Sequence, residues 1–257
     1  MSTKSWFAVL GLAAALALAG CFDVEQSLVL KKDLSGTASL RMMVNLESMA
    51  VMAARMQHQM SGQEGEPTAA EIEQAKKEML ASMQKEGSPA PPAAEIEKGL
   101  PPGVKLLDSG VADEGLKLRA HFTFGFDDVA KLQQIRMPEK ADAEKKPGGK
   151  NPFETPFGDL QITRQGDTLL LTTKPTNPAA EQTDKMGGDV PPEMKKQMEE
   201  AFKDLRVVWK IQAPFQVLET NATRREGDTL YWEYDLKTFE TMTPQQRAEG
   251  VRVKYRR

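Results

Sequence analysis

Residues 116–126 read LKLRAHFTFGF. In an extended chain Leu116, Leu118, Ala120, Phe122, Phe124 and Phe126 fall on one side, and Lys117, Arg119, His121 and Thr123 on the other. Such sustained period-two alternation predicts a strand with one face in a core and one in water. The segment Leu100-Pro101-Pro102-Gly103-Val104 leads into its hairpin partner, and Asp127 or Asp128 is placed to cap a short helix through Val129, Leu132 and Ile135. A further hairpin is written nearer the N-terminus. Phe22, Val24, Leu28 and Leu30 share a parity, Lys32-Asp33-Leu34-Ser35-Gly36 reads as a turn, and Ala38, Leu40, Met42 and Val44 alternate on the return.

Helical blocks interrupt these strands. Leu46, Met49, Met52, Ala53, Met56 and Met60 recur at helical spacing, and Ile72, Ala75, Met79 and Met83 repeat the pattern after Thr68 and Glu71, the two ends of a capping box. A third block, introduced by Asp189 and Pro191-Pro192, carries Met194, Met198, Ala201, Phe202 and Leu205. It feeds strands at 207–213, 215–220, 229–235 and 251–255. The echo Arg164-Gln165-Gly166-Asp167-Thr168-Leu169 and Arg225-Glu226-Gly227-Asp228-Thr229-Leu230 reads as two similar hairpin tips. Arg252, Lys254, Arg256 and Arg257 mark the last strand as an edge guarded by charge, or else as a contact for anionic headgroups. Strands in hairpins with helices in blocks predict an α+β fold: an antiparallel sheet packed on one face by amphipathic helices, with a Met-rich helical insertion at 46–86. The Pro-, Gly- and Lys-rich stretch 137–158 reads as a mobile surface loop.

Composition narrows the chemistry. The 257 residues contain one cysteine and two histidines and carry a net charge of −3. A lone cysteine excludes an internal disulfide, a CxxC pair and multi-cysteine metal sites. The charge gives no footing for nucleic acid. His58 falls opposite the Met stripe at 100° per residue, so a copper site combining them is disfavoured, and no metal or cofactor is expected. His121 lies on the polar side of its strand with no partner visible in the sequence. Ser82-Met83-Gln84-Lys85 matches SxxK, but neither SDN nor KTG accompanies it, and no other catalytic signature is present. A non-enzymatic protein is the expectation.

The N-terminus is the most specific signal. After Lys4, residues 6–19 are apolar without interruption, too short for a span of about 20 residues and suited to an export signal. Leu18-Ala19-Gly20-Cys21 resembles the lipobox of bacterial lipoproteins, which implies cleavage after residue 20, acylation of Cys21 and a single mature domain over 21–257. An aspartate directly after the cysteine favours inner-membrane retention in enterobacterial lipoproteins. Here Phe22 holds that place and Asp23 follows, so the outer membrane, facing the periplasm, is expected. With Asp33-Leu34-Ser35-Gly36, Leu100-Pro101-Pro102-Gly103-Val104, Phe124-Gly125-Phe126-Asp127-Asp128, Pro214, Asn221-Ala222 and Gly227-Asp228-Thr229-Leu230-Tyr231-Trp232, the chain resembles the LppM-type lipoprotein domain family. That resemblance implies an α+β fold and lipid binding rather than an enzymatic activity. The Met-rich block and the long loop depart from a compact version of that domain.

The expected function is therefore that of a non-catalytic, membrane-anchored envelope lipoprotein binding a lipid or other amphiphile. Its apolar face would be drawn from Met49, Met52, Met56, Met60, Phe122, Phe124, Phe126, Met194, Met198 and Phe202. The alternative is a scaffold docking an envelope protein through the same helices, since methionine suits surfaces that accept varied apolar partners.

Overall fold

The computed structural model describes residues 22–63, 65–86, 92–113, 115–137, 156–157, 159–174, 196, 199–200 and 202–257. The first hairpin forms as its parity dictates. Strand β1 (Phe22–Leu30) runs antiparallel to β2 (Gly36–Asn45), with Leu28 facing Ala38 and Leu30 facing Gly36. Gly36 is needed there because a Cβ would sit 1.9 Å from the Val29 carbonyl oxygen. Asn45 ends β2, and its Oδ1 accepts a hydrogen bond from the Glu47 amide, starting α1 (Leu46–Met60). Helix α2 (Ala69–Glu86) begins with the expected box: the Thr68 amide donates to Glu71 Oε2 at 2.6 Å, and the Glu71 amide donates to Thr68 Oγ1 at 3.3 Å.

After α3 (Ala93–Lys98), β3 (Val104–Asp113) and β4 (Lys117–Phe126) form the second hairpin, and Asp128 caps a 3-10 helix over Val129–Gln134. The remaining strands are β5 (Gln161–Gln165), β6 (Thr168–Thr173), β7 (Arg206–Gln212), β8 (Gln216–Thr220), β9 (Arg224–Glu226), β10 (Thr229–Asp235) and β11 (Val251–Arg256). Between β10 and β11 lie α4 (Leu236–Thr241) and α5 (Pro244–Glu249). The echoed segments are hairpin tips, with Gly166 at φ 57° and Gly227 at φ 56°.

The fold is α+β, and its strands make two sheets. One has the order β3-β4-β2-β1-β7-β10-β9 and the other β5-β6-β11-β8. The large sheet is not built from hairpins alone, because β7 joins β1 in parallel, with Val24 beside Val207 and Leu28 beside Ile211. Its apolar face is covered by the second sheet. Leu28, Leu40, Phe124, Trp209 and Trp232 belong to the same contiguous core as Leu169, Leu171, Val251, Val253 and Tyr255. Helices were expected in that covering layer. The α1–α2 hairpin instead keeps a small cluster of its own, made of Ala50, Ala54 and Ala75 with Ile72 and Met79 against it.

One further expectation is corrected. Strand β11 lies between β6 and β8 and is no edge. Its basic residues serve pairs instead, Arg252 and Lys254 reaching Glu219 at 2.9 and 3.5 Å. The stretch 137–158 lies outside the described residues except for Met137, Pro156 and Phe157, which are buried. The Phe157 ring packs edge-on against both Phe124, at 6.3 Å, and Trp209, at 6.4 Å.

Phe124 is fully buried at this junction, so Phe124→Ala is expected to cost about 3–5 kcal/mol in denaturant unfolding. Leu107, 58% exposed, serves as the control, and Leu107→Ser is expected to shift stability by no more than about 0.5 kcal/mol.

Candidate functional site

Among the described residues the expected apolar face does not assemble. Phe122, Phe124 and Phe126 are 4%, 0% and 5% exposed and form part of the sealed core, and Phe202 joins them at 8%. Met194 and Met198 lie outside the described residues. On α1 the inward side is Ala50, Ala54 and His58, with Glu47 and Val51 beside them. At 100° per residue that side points about 170° from Met49, Met52, Met56 and Met60. The first three methionines are half-buried and Met60 is 85% exposed, and none of the four belongs to the core of either cluster. The stripe read as the packing face is therefore the opposite side of the helix. Small alanines let α2 approach closely, and the space they leave admits the imidazole.

Helical spacing sets His58 opposite the Met stripe, on what the pattern makes a polar face. The structure buries it, with Nδ1 3.0 Å from Glu71 Oε1. Contact with His58, reinforced by the amide and hydroxyl of Thr68, holds the Glu71 carboxyl down at about 2.

A different site lies on the open face of the large sheet. There the odd-numbered residues of β1, β2 and β4 border a groove of about 410 Å³ with Asp23, Glu25, Arg41, Met43, Arg119 and His121 in its walls, joined by Asp108 and Arg206. Strand geometry puts them together: Arg41 is in register with Glu25 on one side and His121 on the other, and Asp23 with Arg206.

A bulge brings in Asp108. In β3, Val104 and Leu106 follow the core parity of Phe126 and Phe124, and the same parity would carry residue 108 inward. The register shifts between Leu106 and Asp108, so Asp108 lies opposite Thr123 on the open face. From there its Oδ2 is 3.1 Å from His121 Nε2. The His121 ring lies over Gly110, where a Cβ would come within 2.4 Å of it. Glycine makes that close approach possible.

Charge in the groove is nearly matched, with one exception. Arg206 Nη1 donates to both oxygens of Asp23, at 3.3 and 3.2 Å, and Lys210 Nζ donates to Glu25 at 2.6 Å. Asp108 faces His121. Arg41, exposed at the centre of the groove, has no ion-pair partner among the described residues. A guanidinium with free donors beside a second arginine and an imidazole fits an anionic group such as a phosphate or carboxylate. The alternation of β1, β2 and β4 already sets Asp23, Glu25, Arg41, Arg119 and His121 on the faces opposite the apolar residues. Asp108 and Arg206 reach the groove through a bulge and long-range pairing.

No family model matches the chain, and no curated protein does. Among solved structures the chain is similar to the folded domain of the Mycobacterium tuberculosis LppM protein, determined by NMR. The match has 14% identity and a TM-score of 0.43, over 93% of this chain and 91% of that one. No described helix is long and apolar enough to cross a membrane.

The Glu71 carboxyl gives the helical hairpin an acid limit. Because folding depresses its pKa, its contribution is complete above the ordinary carboxylate range and is lost as pH falls through about 2. Glu71→Gln is expected to remove that acid dependence, read as amide-exchange protection of 46–86 between pH 5 and pH 2.

Proposed function

We propose that this chain is a non-catalytic lipoprotein of the bacterial envelope, held to the outer membrane through acylated Cys21, whose sheet groove binds the anionic head of an amphiphile. Arg41 is the observation that carries the binding half of this reading. It stands in a groove large enough for a small polar head, and each neighbouring acid is engaged by a side chain other than Arg41. The closed aromatic core argues against a ligand enveloped by Phe122, Phe124 and Phe126. The head is therefore bound and the acyl chains stay outside the protein. The lipobox residues Leu18-Ala19-Gly20-Cys21 support the anchor, and stable anchoring takes two or three acyl chains.

Two measurements test the halves separately. Mass spectrometry of the N-terminal peptide is expected to find Cys21 as the first residue, bearing acyl chains; an unmodified Cys21 thiol or another N-terminus rejects the anchor. Native mass spectrometry of gently extracted protein is expected to show a co-purified anionic amphiphile that is lost in Arg41→Glu. Repeated preparations with no bound species reject the groove. A stoichiometric protein crosslinked in cells to α1 or α2, with the groove empty, moves the assignment to the scaffold reading.

A further inference from the structure

We propose that the domain stands on its membrane without a tether, one rim of the large sheet seated at the headgroups and the arginine groove opening directly above them. The proposal rests on the reading of Cys21 as the acylated residue and adds an orientation and a source for the ligand.

The first observation is the missing spacer. Phe22, one peptide bond from Cys21, is already the first residue of β1 and is paired with Val44. Consecutive Cα atoms are about 3.8 Å apart, so an acyl group on Cys21 holds the start of β1 at the bilayer surface. Strand β1 is no dangling edge, because it lies between β2 and β7 in the sheet, and the whole sheet must follow it.

The second observation is what shares that end. Strand β2 finishes there and α1 begins at Leu46, within about 10 Å of Phe22 at the usual strand spacing and rise. The Leu46 amide donates to the Leu116 carbonyl at 2.7 Å, which brings in the start of β4, where Lys117 is in register with Asn45. On the other side Arg206 opens β7 beside Asp23, and Leu236 follows the end of β10. The rim thus carries Phe22, Leu46, Leu116 and Leu236, each partly buried and two of them (Phe22 and Leu236) resting on the core, beside Lys117 and the Arg206–Asp23 pair. Apolar side chains interleaved with cations suit the boundary between acyl chains and anionic headgroups.

The third observation is the height of the groove. Asp23 and Glu25 lie two and four residues above Cys21, roughly 7 and 13 Å along β1. Arg41 is level with Glu25. The groove therefore opens just above the headgroup layer of the same leaflet, and the anionic head it takes is that of a lipid in its own membrane.

The chain has no cysteine besides Cys21, so single probes can be placed on the acylated full-length protein. A fluorophore is attached at Lys117→Cys on the rim, or at Lys32→Cys in the turn at the far end of β1, about 30 Å away. Circular dichroism confirms that each variant is folded. The protein is reconstituted in phosphatidylethanolamine–phosphatidylglycerol vesicles containing a headgroup nitroxide lipid. The rim probe is expected to be quenched and the Lys32→Cys probe to remain bright. Inserting about ten Gly/Ser residues between Cys21 and Phe22, a spacer of roughly 17 Å, is expected to abolish that difference. Equal quenching of the two probes, or a difference that survives the spacer, overturns the proposal. The peptide mass of Cys21 from the same sample separates the failures: an unmodified thiol rejects the anchor itself, and acylated Cys21 with equal quenching rejects the orientation alone.

Discussion

Strand β1 ties the molecule together. It pairs with β2 along its full length and with β7 over Asp23 to Val29, joining the two halves of the seven-stranded sheet. Its even-numbered side supplies Leu28 and Leu30 to the core, while Asp23 and Glu25 on the odd side anchor Arg206 and Lys210 from the neighbouring strand. One segment thus sets the register of the aromatic core and the charge pattern of the groove. A one-residue slip of β1 would exchange the faces, driving Glu25 into the Trp209 layer and Leu28 into water. The register of the core and the make-up of the groove are therefore one constraint in this fold.

The helical hairpin follows different physics. Its own cluster is made from three alanines, which bury little area but allow close approach of the helix backbones. Specificity comes from polar ties: Glu71 serves the Thr68 cap and His58 together, and Lys76 Nζ donates to Glu47 at 2.7 Å. A salt bridge and a cap on a small apolar cluster make a unit less secure than the aromatic sandwich. Its acid sensitivity follows from having one carboxylate in two roles.

Elements defined by local pattern were legible in the sequence. The hairpin of β1 and β2, the alternation of β4, the Thr68–Glu71 box, the Asp128 cap and the two Gly-Asp turns all have their determinants within a few residues. What was not legible depended on partners far along the chain. The parallel pairing of β1 with β7 joins residues more than 180 positions apart, and the central place of β11 follows from β6 and β8 on its two sides. On α1, methionine offers more apolar side-chain area than alanine, so the pattern reads the stripe with the larger side chains as the packing face. Close helix packing reverses that preference because distance, not side-chain area, limits it. The groove was hidden in part for a related reason. A bulge moves Asp108 across the sheet without leaving a mark that alternation can register.

The two faces of the large sheet also explain why an aromatic-rich strand does not make an apolar binding site here. Phe122, Phe124 and Phe126 extend one side of β4 into a layer closed by Phe157, Trp209 and the second sheet. Opening that layer to admit an acyl chain would uncover several fully buried rings, each contributing on the order of 1.5–3 kcal/mol through burial. The opposite side of the same strand carries Arg119 and His121 at the surface, where an anion can be met without disturbing the core. Binding through a headgroup is then the mode this architecture permits at least structural cost. With Cys21 acylated as proposed, a sheet whose first strand begins at Phe22 would leave the acyl chains of such a lipid in the bilayer, where they need no pocket.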